Sequence, residues 1–254
     1  MKEKPLPLIG TSGWIYPHWK GTFYPNGMAA GRFFEHYASQ FETVEINNSF
    51  YKLPETHTIE NWRAMAPKGF TYAVKASRYI THMKKLKDPK TSTAKFFERV
   101  GLFEDALGPI LFQLPPRWRF DAERLRSFLV SLPQDFRYTF EFRDPSWLNP
   151  TTYDFLHTHG AALCVSHFDE MMSPKLVTTD FVYVRLHGPA GPYQGSYDTK
   201  TLKGWASFIA RWVEEGKRVY CYFDNDEDGH APNDALRLIK LIRARRIRRP
   251  TPKE

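Results

Sequence analysis

The chain has 254 residues, 42% of them hydrophobic and 25% charged, with a formal net charge of +8. That balance excludes a disordered or fibrous chain and is long enough for one large domain, or two small ones, to bury a core without disulfide or metal staples. Residues 236–254 hold eight cations against Glu254, about +7 in all, so the rest is near neutral and the overall charge does not make the whole chain a nucleic-acid binder. In chain order, hydrophobic periodicity predicts a strand at 7–11, a helix at 29–40, a strand at 43–48, a helix at 58–66, a strand at 70–76 and a helix at 91–104. It continues with a strand at 109–113, a helix at 122–132, a strand at 137–143, a helix at 151–159 and a strand at 161–166. No convincing helix separates that strand from the next, at 181–187, after which come a helix at 200–215, a strand at 218–224 and a helix at 233–243. Eight strands alternating with helices predict an α/β fold, a single (β/α)8 TIM-type barrel over residues 1–243 with an irregular sixth crossover, followed by a basic tail at 244–254.

Strand parity then sorts side chains, because alternate residues face the barrel interior while the others pack on helices. Val44 and Ile46 suit the helix layer and turn Glu45 and Asn47 inward; Tyr72 and Val74 do the same for Lys75. Gln113 follows Leu111 on the inward face, and Phe140 and Phe142 leave Glu141 and Arg143 inside. In the last two strands Tyr183, Arg185, His187, Tyr220, Tyr222 and Asp224 point inward. The polar members fall late in their strands, which is the active-site face of this architecture. Glu45, Glu141 and Asp224 against Lys75, Arg143 and Arg185 form either a self-neutralising structural network or a ligand site. Buried ions cost several kcal/mol each unless paired, so the ligand site is the preferred reading.

The loops add less. GTSG at 10–13 lacks the spacing of a dinucleotide or P-loop fingerprint and reads as a tight turn. GPAGPYQGSYD at 188–198 fits a mobile cover over the mouth, where Arg185 and backbone amides would suit an oxyanion. DNDEDGH at 224–230 opens like an EF-hand, but Ala235 stands where the bidentate glutamate belongs, so calcium is rejected. No cofactor is expected; a divalent ion among Asp224, Asp226 and Glu45 is the lesser alternative, and His187 with His167 suits hydrogen bonding better than metal ligation. Cys164 and Cys221 sit in apolar runs as reduced core residues of a cytoplasmic protein. No segment approaches the roughly 18–20 apolar residues of a membrane span, nor is there a signal-peptide stretch at the N-terminus, so a soluble, unprocessed chain is expected.

Seven spaced motifs carry a resemblance: GTSGW at 10–14 with Tyr16, Trp19, Phe23 and Tyr24; EINNSFYKLP at 45–54; FTYAVKASRYITH at 70–82; LGPILFQLPPRW at 107–118; EFRDPSW at 141–147; YVRLHG at 183–188; and YCYFDNDEDGHAPNDA at 220–235. Together they resemble the YecE-like family, domain of unknown function 72, from about residue 8 to 242. The resemblance implies a TIM-type barrel and no particular reaction. Asn48 and Asp144 stand where the family pattern often has Ser or Thr and His, and the arginine tail lies outside the motifs.

Two functions follow as expectations. The first is an enzyme, a hydrolase or lyase acting on a polar or anionic small molecule such as a phosphorylated or sugar-like compound. Glu45 and Glu141 would be its acid/base pair and His187 its proton relay; Lys75, Arg143 and Arg185 would hold the anion, with Asn47, Gln113, Tyr222 and Asp224 around it. Trp14, Trp19 and Trp147 would stack on sugar faces. The second is a nucleic-acid-associated protein gripping a nucleotide or single strand in the mouth, with the arginine tail on phosphates.

Overall fold

In the computed structural model, which describes residues 6–169 and 171–248, the predicted barrel is present. Its strands are β1 (Leu8–Thr11), β2 (Thr43–Ile46), β3 (Thr71–Lys75), β4 (Leu107–Gln113), β5 (Tyr138–Glu141), β6 (Ala162–Phe168), the short β7 (Met171–Met172), β8 (Phe181–Leu186) and β9 (Arg218–Phe223). The parallel strands run in the order β1-β9-β8-β6-β5-β4-β3-β2, and β7 pairs antiparallel with β6. The remaining seam, between β1 and β2, is closed by a parallel bridge from Ser12 to Glu45, with the Gly13 amide donating to the Glu45 carbonyl at 2.8 Å.

Gly10 makes that seam possible. A Cβ there would run into the backbone carbonyl oxygen of Thr43, so the walls meet only because the side chain is missing. Gly10→Ala is expected to cost about 1–3 kcal/mol through overpacking, read as a lower urea midpoint at unchanged slope; an unchanged midpoint would mean the seam can open freely.

The parity assignments hold throughout. Val44, Ile46, Tyr72, Val74, Phe140, Phe142, Val182, Val184, Leu186, Val219, Cys221 and Phe223 belong to the large apolar cluster around the barrel. Leu8, Ala73, Leu111, Ala162, Cys164, Phe181, Tyr183, Tyr220 and Tyr222 form a separate cluster inside it. Both cysteines are free and buried.

The helices are α1 (Phe33–Gln40), α2 (Asn48–Tyr51), α3 (Thr56–Met65), α4 (Pro89–Val100), α5 (Ala122–Ser131), α6 (Pro150–Thr158), α7 (Thr199–Glu214) and α8 (His230–Arg248). In α7, Leu202, Trp205, Ala206, Ile209, Trp212 and Val213 are buried, the one-sided stripe of a helix laid on a sheet. Asp121, Asn149 and Asp198 cap α5, α6 and α7 by accepting from the amides of Arg124, Thr152 and Thr201.

Departures from the sequence reading have local causes. The helix expected over 91–104 ends at Val100, and a 3-10 segment follows in which Glu104 takes a left-handed φ of 49°. The single turn α2 and a π-helical turn at Tyr79–Met83 are too short to show a period. The sixth crossover is irregular as expected, and its first part is the hairpin of β6 and β7. The last helix runs to Arg248, past the expected end at Arg243. Ala235, Leu238 and Ile242 are buried at helical spacing, and Leu236, Ile239 and Leu241 pack beside them. Of the basic tail, residues 249–254 lie outside the described residues. Among the described residues no helix is long and apolar enough to cross a membrane.

Candidate functional site

The C-terminal strand ends bring Glu45, Lys75, Gln113, Glu141 and Arg185 to one face, with Arg143, His187 and Asp224 just beyond β5, β8 and β9. Arg185 is the centre. Its Nε donates to both Glu45 oxygens at 3.1 and 3.0 Å, and its Nη2 donates to Glu45 Oε1 at 2.7 Å and Asp224 Oδ2 at 2.8 Å. Its Nη1 donates to Glu141 Oε2 at 2.8 Å and lies 3.2 Å from His187 Nε2. Glu45 also accepts from Ser12 Oγ and from the Tyr183 hydroxyl, each at 2.6 Å. Arg143 Nη2 pairs with Glu141 Oε1 at 2.6 Å and lies 3.1 Å from His187 Nε2. His187 Nε2 is 3.2 Å from Glu141 Oε1, while its Nδ1 lies 3.0 Å from Asp224 Oδ2 without the alignment of a hydrogen bond.

Glu45, Glu141, Arg185 and His187 are fully buried, so the electrostatics are strong. Burial alone would push the Glu141 carboxyl up, but Arg143, Arg185 and His187 outweigh it and hold the group well below the usual range. Asp224 is likewise lowered, against its burial, by Arg185 and His187. Burial opposes the charge on Arg185, yet Glu45, Glu141 and Asp224 together raise its pKa well above normal. Lys75 goes the other way: burial, then the field of Arg185, pushes its ammonium down to about 8. Burial, with Lys75, Arg78 and Arg143 nearby, pushes His82 down to about 4.

This connectivity corrects several sequence assignments. Arg185 has no donor left for a substrate anion: four of its five N–H groups go to the carboxylates and the fifth points at His187 Nε2. Glu45 is enclosed by Ser12, Tyr183 and Arg185, and Glu141 is locked ionised between two guanidinium groups, so neither is free to act as an acid/base on substrate. Tyr222 bonds Thr43 Oγ1 at 2.7 Å in the interior cluster, below the mouth. Trp147 is fully buried against Phe142, Phe120 and Trp118, and Trp14 packs edge-on to Phe34 and Trp62; both are core, as is Trp19. The guanidinium of Arg185 fills the space among Glu45 and Asp224 that a divalent ion would need. Among the described residues no group of three or more His, Cys, Asp or Glu is arranged to hold a metal.

Other assigned residues keep unused polar capacity. Lys75 Nζ makes no hydrogen bond or ion pair among the described residues and rests 4.5 Å from the centre of the Phe50 ring. Arg143 Nε and Asn47 Oδ1 are buried without a hydrogen-bond partner among the described residues, and Gln113 Nε2 makes only a long 3.4 Å contact with the Leu114 carbonyl. Such atoms cost about 1–3 kcal/mol each if they stay unmet, and they call for a polar guest or water.

Sequence reasoning missed the residues that wall this region. The Arg143 guanidinium lies 3.6 Å over the Phe168 ring, and Phe50 meets His82 edge-on at 5.0 Å. Tyr193, at the tip of the expected cover, packs on His187 and Phe168 with ring centres 5.7 and 5.9 Å away. Its amide donates to the His187 carbonyl at 2.6 Å, and Gly188 at φ 114° leaves no room for a Cβ beside Gln194. Ser12 was within reach of the parity argument, two places beyond Gly10 on the same face; the aromatic walls carry no local signal. One cleft, of about 160 Å³, borders Asn47, Asn48, Ile46 and Gly13–Tyr16. Another, of about 380 Å³, lies between His18, the Pro192–Gln194 tip and Asp226–Asp228. A smaller apolar groove, lined by Leu8, Phe41, Ile239 and Ile242 among others, lies at the N-terminal strand ends, on the opposite face.

The sequence model of the family described as protein of unknown function DUF72 matches residues 8–254. That match takes in the basic C-terminal segment, which the motif resemblance stops short of. The UPF0759 protein YunF of Bacillus subtilis is 24% identical, over 92% of this chain and 94% of its own. The UPF0759 protein YecE of Escherichia coli K12 is 29% identical, over 55% of this chain and 49% of its own. The crystal structure of a DUF72 family protein from Thermotoga maritima superposes with a TM-score of 0.86 at 28% identity, covering 94% of this chain and 100% of that one.

Proposed function

This chain belongs to the DUF72 family, and on that premise we propose that it is an enzyme of the hydrolase or lyase class acting on a small polar substrate with an anionic group, bound at the C-terminal mouth of the barrel. The observation that carries the reading is the division of labour among the charges. Three carboxylates are consumed by Arg185, while Lys75, Arg143, Asn47 and Gln113 keep donors and acceptors without partners among the described residues. A structural network would have used them, because each unmet group weakens the fold.

In this reading Arg143 holds the anionic group, flattened on Phe168 and anchored through Nη2 to Glu141 so that its remaining donors keep one orientation. Asn47 and Gln113 hydrogen-bond the uncharged part of the substrate. His187 moves a proton at Nδ1, which lies 3.0 Å from Asp224 Oδ2 and meets the substrate when the Tyr193 ring packed on it swings away. Glu45, Glu141, Arg185 and Asp224 are positioning residues.

Thermal melts in inorganic phosphate, glycerol phosphate and glucose 6-phosphate test the proposal. A ligand at about 100 times its Kd adds about 2.7 kcal/mol, which raises the Tm of a chain this size by roughly 5–10 °C. Arg143→Met is expected to abolish the rise. A wild-type Tm indifferent to all three anions would end this reading.

A further inference from the structure

We propose that Lys75 is a nucleophile that forms an imine with the carbonyl carbon of the substrate, which makes the substrate class an anionic carbonyl compound such as a 2-oxo acid or a ketose phosphate. The inference rests on the anion site at Arg143 proposed above and adds the covalent step.

The argument starts from what normally disables a lysine. A carboxylate at bonding distance holds the amine as an ammonium, and a protonated nitrogen has no lone pair to attack with. Three carboxylates approach this region, yet all are gripped by Arg185, and none pairs with Lys75 among the described residues. The Nζ sits on the face of Phe50, and Lys75 is only 8% exposed, at the last position of β3. A rigid strand end and an apolar ring fix the amine, and its slight exposure leaves it in contact with solvent. Burial and Arg185 bring its pKa to about 8, so a useful fraction is neutral near pH 7.

The same surroundings suit the product of the attack. The neutral amine adds to the carbonyl carbon: a C–N bond forms, the C=O π pair moves to oxygen, and the ammonium-like nitrogen passes its proton to solvent while the oxygen gains one. The carbinolamine then expels its hydroxyl as water with a further proton. The sum is amine plus carbonyl plus one proton giving iminium plus water, with no redox change. The cation that results lies in the field of Asp224, Glu141 and Glu45, each of which favours positive charge at Nζ. Thus the desolvation that frees the amine and the carboxylate field that holds the iminium come from different groups.

Hydride trapping tests it on the full-length wild-type chain. The protein is incubated separately with glyoxylate, pyruvate and dihydroxyacetone phosphate in the presence of cyanoborohydride, which reduces an imine to a stable secondary amine, and adducts are mapped by peptide mass. The expected result is a Lys75 adduct forming about tenfold or more faster than adducts on the exposed Lys20 and Lys52, on a rate curve with its midpoint near pH 8. Labelling of Lys75 no faster than of those two, with all three carbonyls, overturns the proposal whether or not Lys75→Arg folds. If phosphate still raises the wild-type Tm in that case, the anion site stands and only the covalent step falls; if it does not, both fall.

Discussion

Replacing Arg185 with methionine is expected to destabilise the fold by about 3–5 kcal/mol, a fall in Tm of roughly 6–20 °C for a chain of this size. The loss comes from stranding Glu45 and Asp224, which are buried or nearly so and share this counter-charge, and from leaving Glu141 with Arg143 alone. The pH dependence carries the sign. In the wild type, Glu141 and Asp224 are held below their ordinary values, so their contribution is complete above about pH 5 and is lost as pH falls through the lowered folded values. Without Arg185 the burial of Asp224 loses its largest offset, its folded carboxyl binds a proton more readily than the unfolded one, and the variant gains stability as pH falls from about 7 to 5, while Glu141 stays ionised beside Arg143. Urea unfolding at the two pH values reads both effects. A loss under about 1 kcal/mol, with the slope unchanged, would show that the carboxylates do not depend on this guanidinium.

Lys75→Met is expected to do the reverse, stabilising the protein by about 1–3 kcal/mol at pH 7 while abolishing imine trapping. The lysine has a folded pKa of about 8, against about 10.4 in an unfolded chain. Between those values the unfolded chain binds more protons, so wild-type stability rises as pH goes from about 8 to 10. The variant has no such rise, and its advantage should shrink to almost nothing near pH 10. A variant less stable than wild type at pH 7 would mean that the ammonium is needed to balance the carboxylates, and that Lys75 is structural.

The alternation of apolar and polar residues made the barrel and its inward-facing charges legible, because each outward Val, Ile or Phe had a helix to meet and left its neighbours no other direction. Glu45, Lys75, Glu141, Arg143 and Asp224 all reach the mouth for that reason. Which of them would be free was not legible. Parity places a residue on a face and says nothing of its partners, and the contact that removes Arg185 and Glu45 from substrate binding joins positions 140 apart. The tryptophans failed in a related way. Trp14 and Trp147 stand between the regular strands and helices, where an exposed ring would be a binding surface, but they pack against Trp62 and Trp118 at distant positions. Phe168 and Tyr193 matter only because Arg143 and His187 lie beneath them, a relation that exists only once the strands are side by side.

The seam between β1 and β2 also bears on how the chain is made. The first strand of the barrel finds its ladder partner in the last, β9, and Glu45 meets Arg185 only after a further 140 residues. At about 5–20 residues per second that is a wait of roughly 7–28 s. For that interval only the short bridge to β1 covers the outer edge of β2, and the side chain it turns inward at its C-terminal end is a carboxylate without its guanidinium. An inward charge on an edge strand is what discourages one nascent sheet from adding to another. The glutamate that ends its life sealed in the hub would first serve as a guard on the unfinished edge.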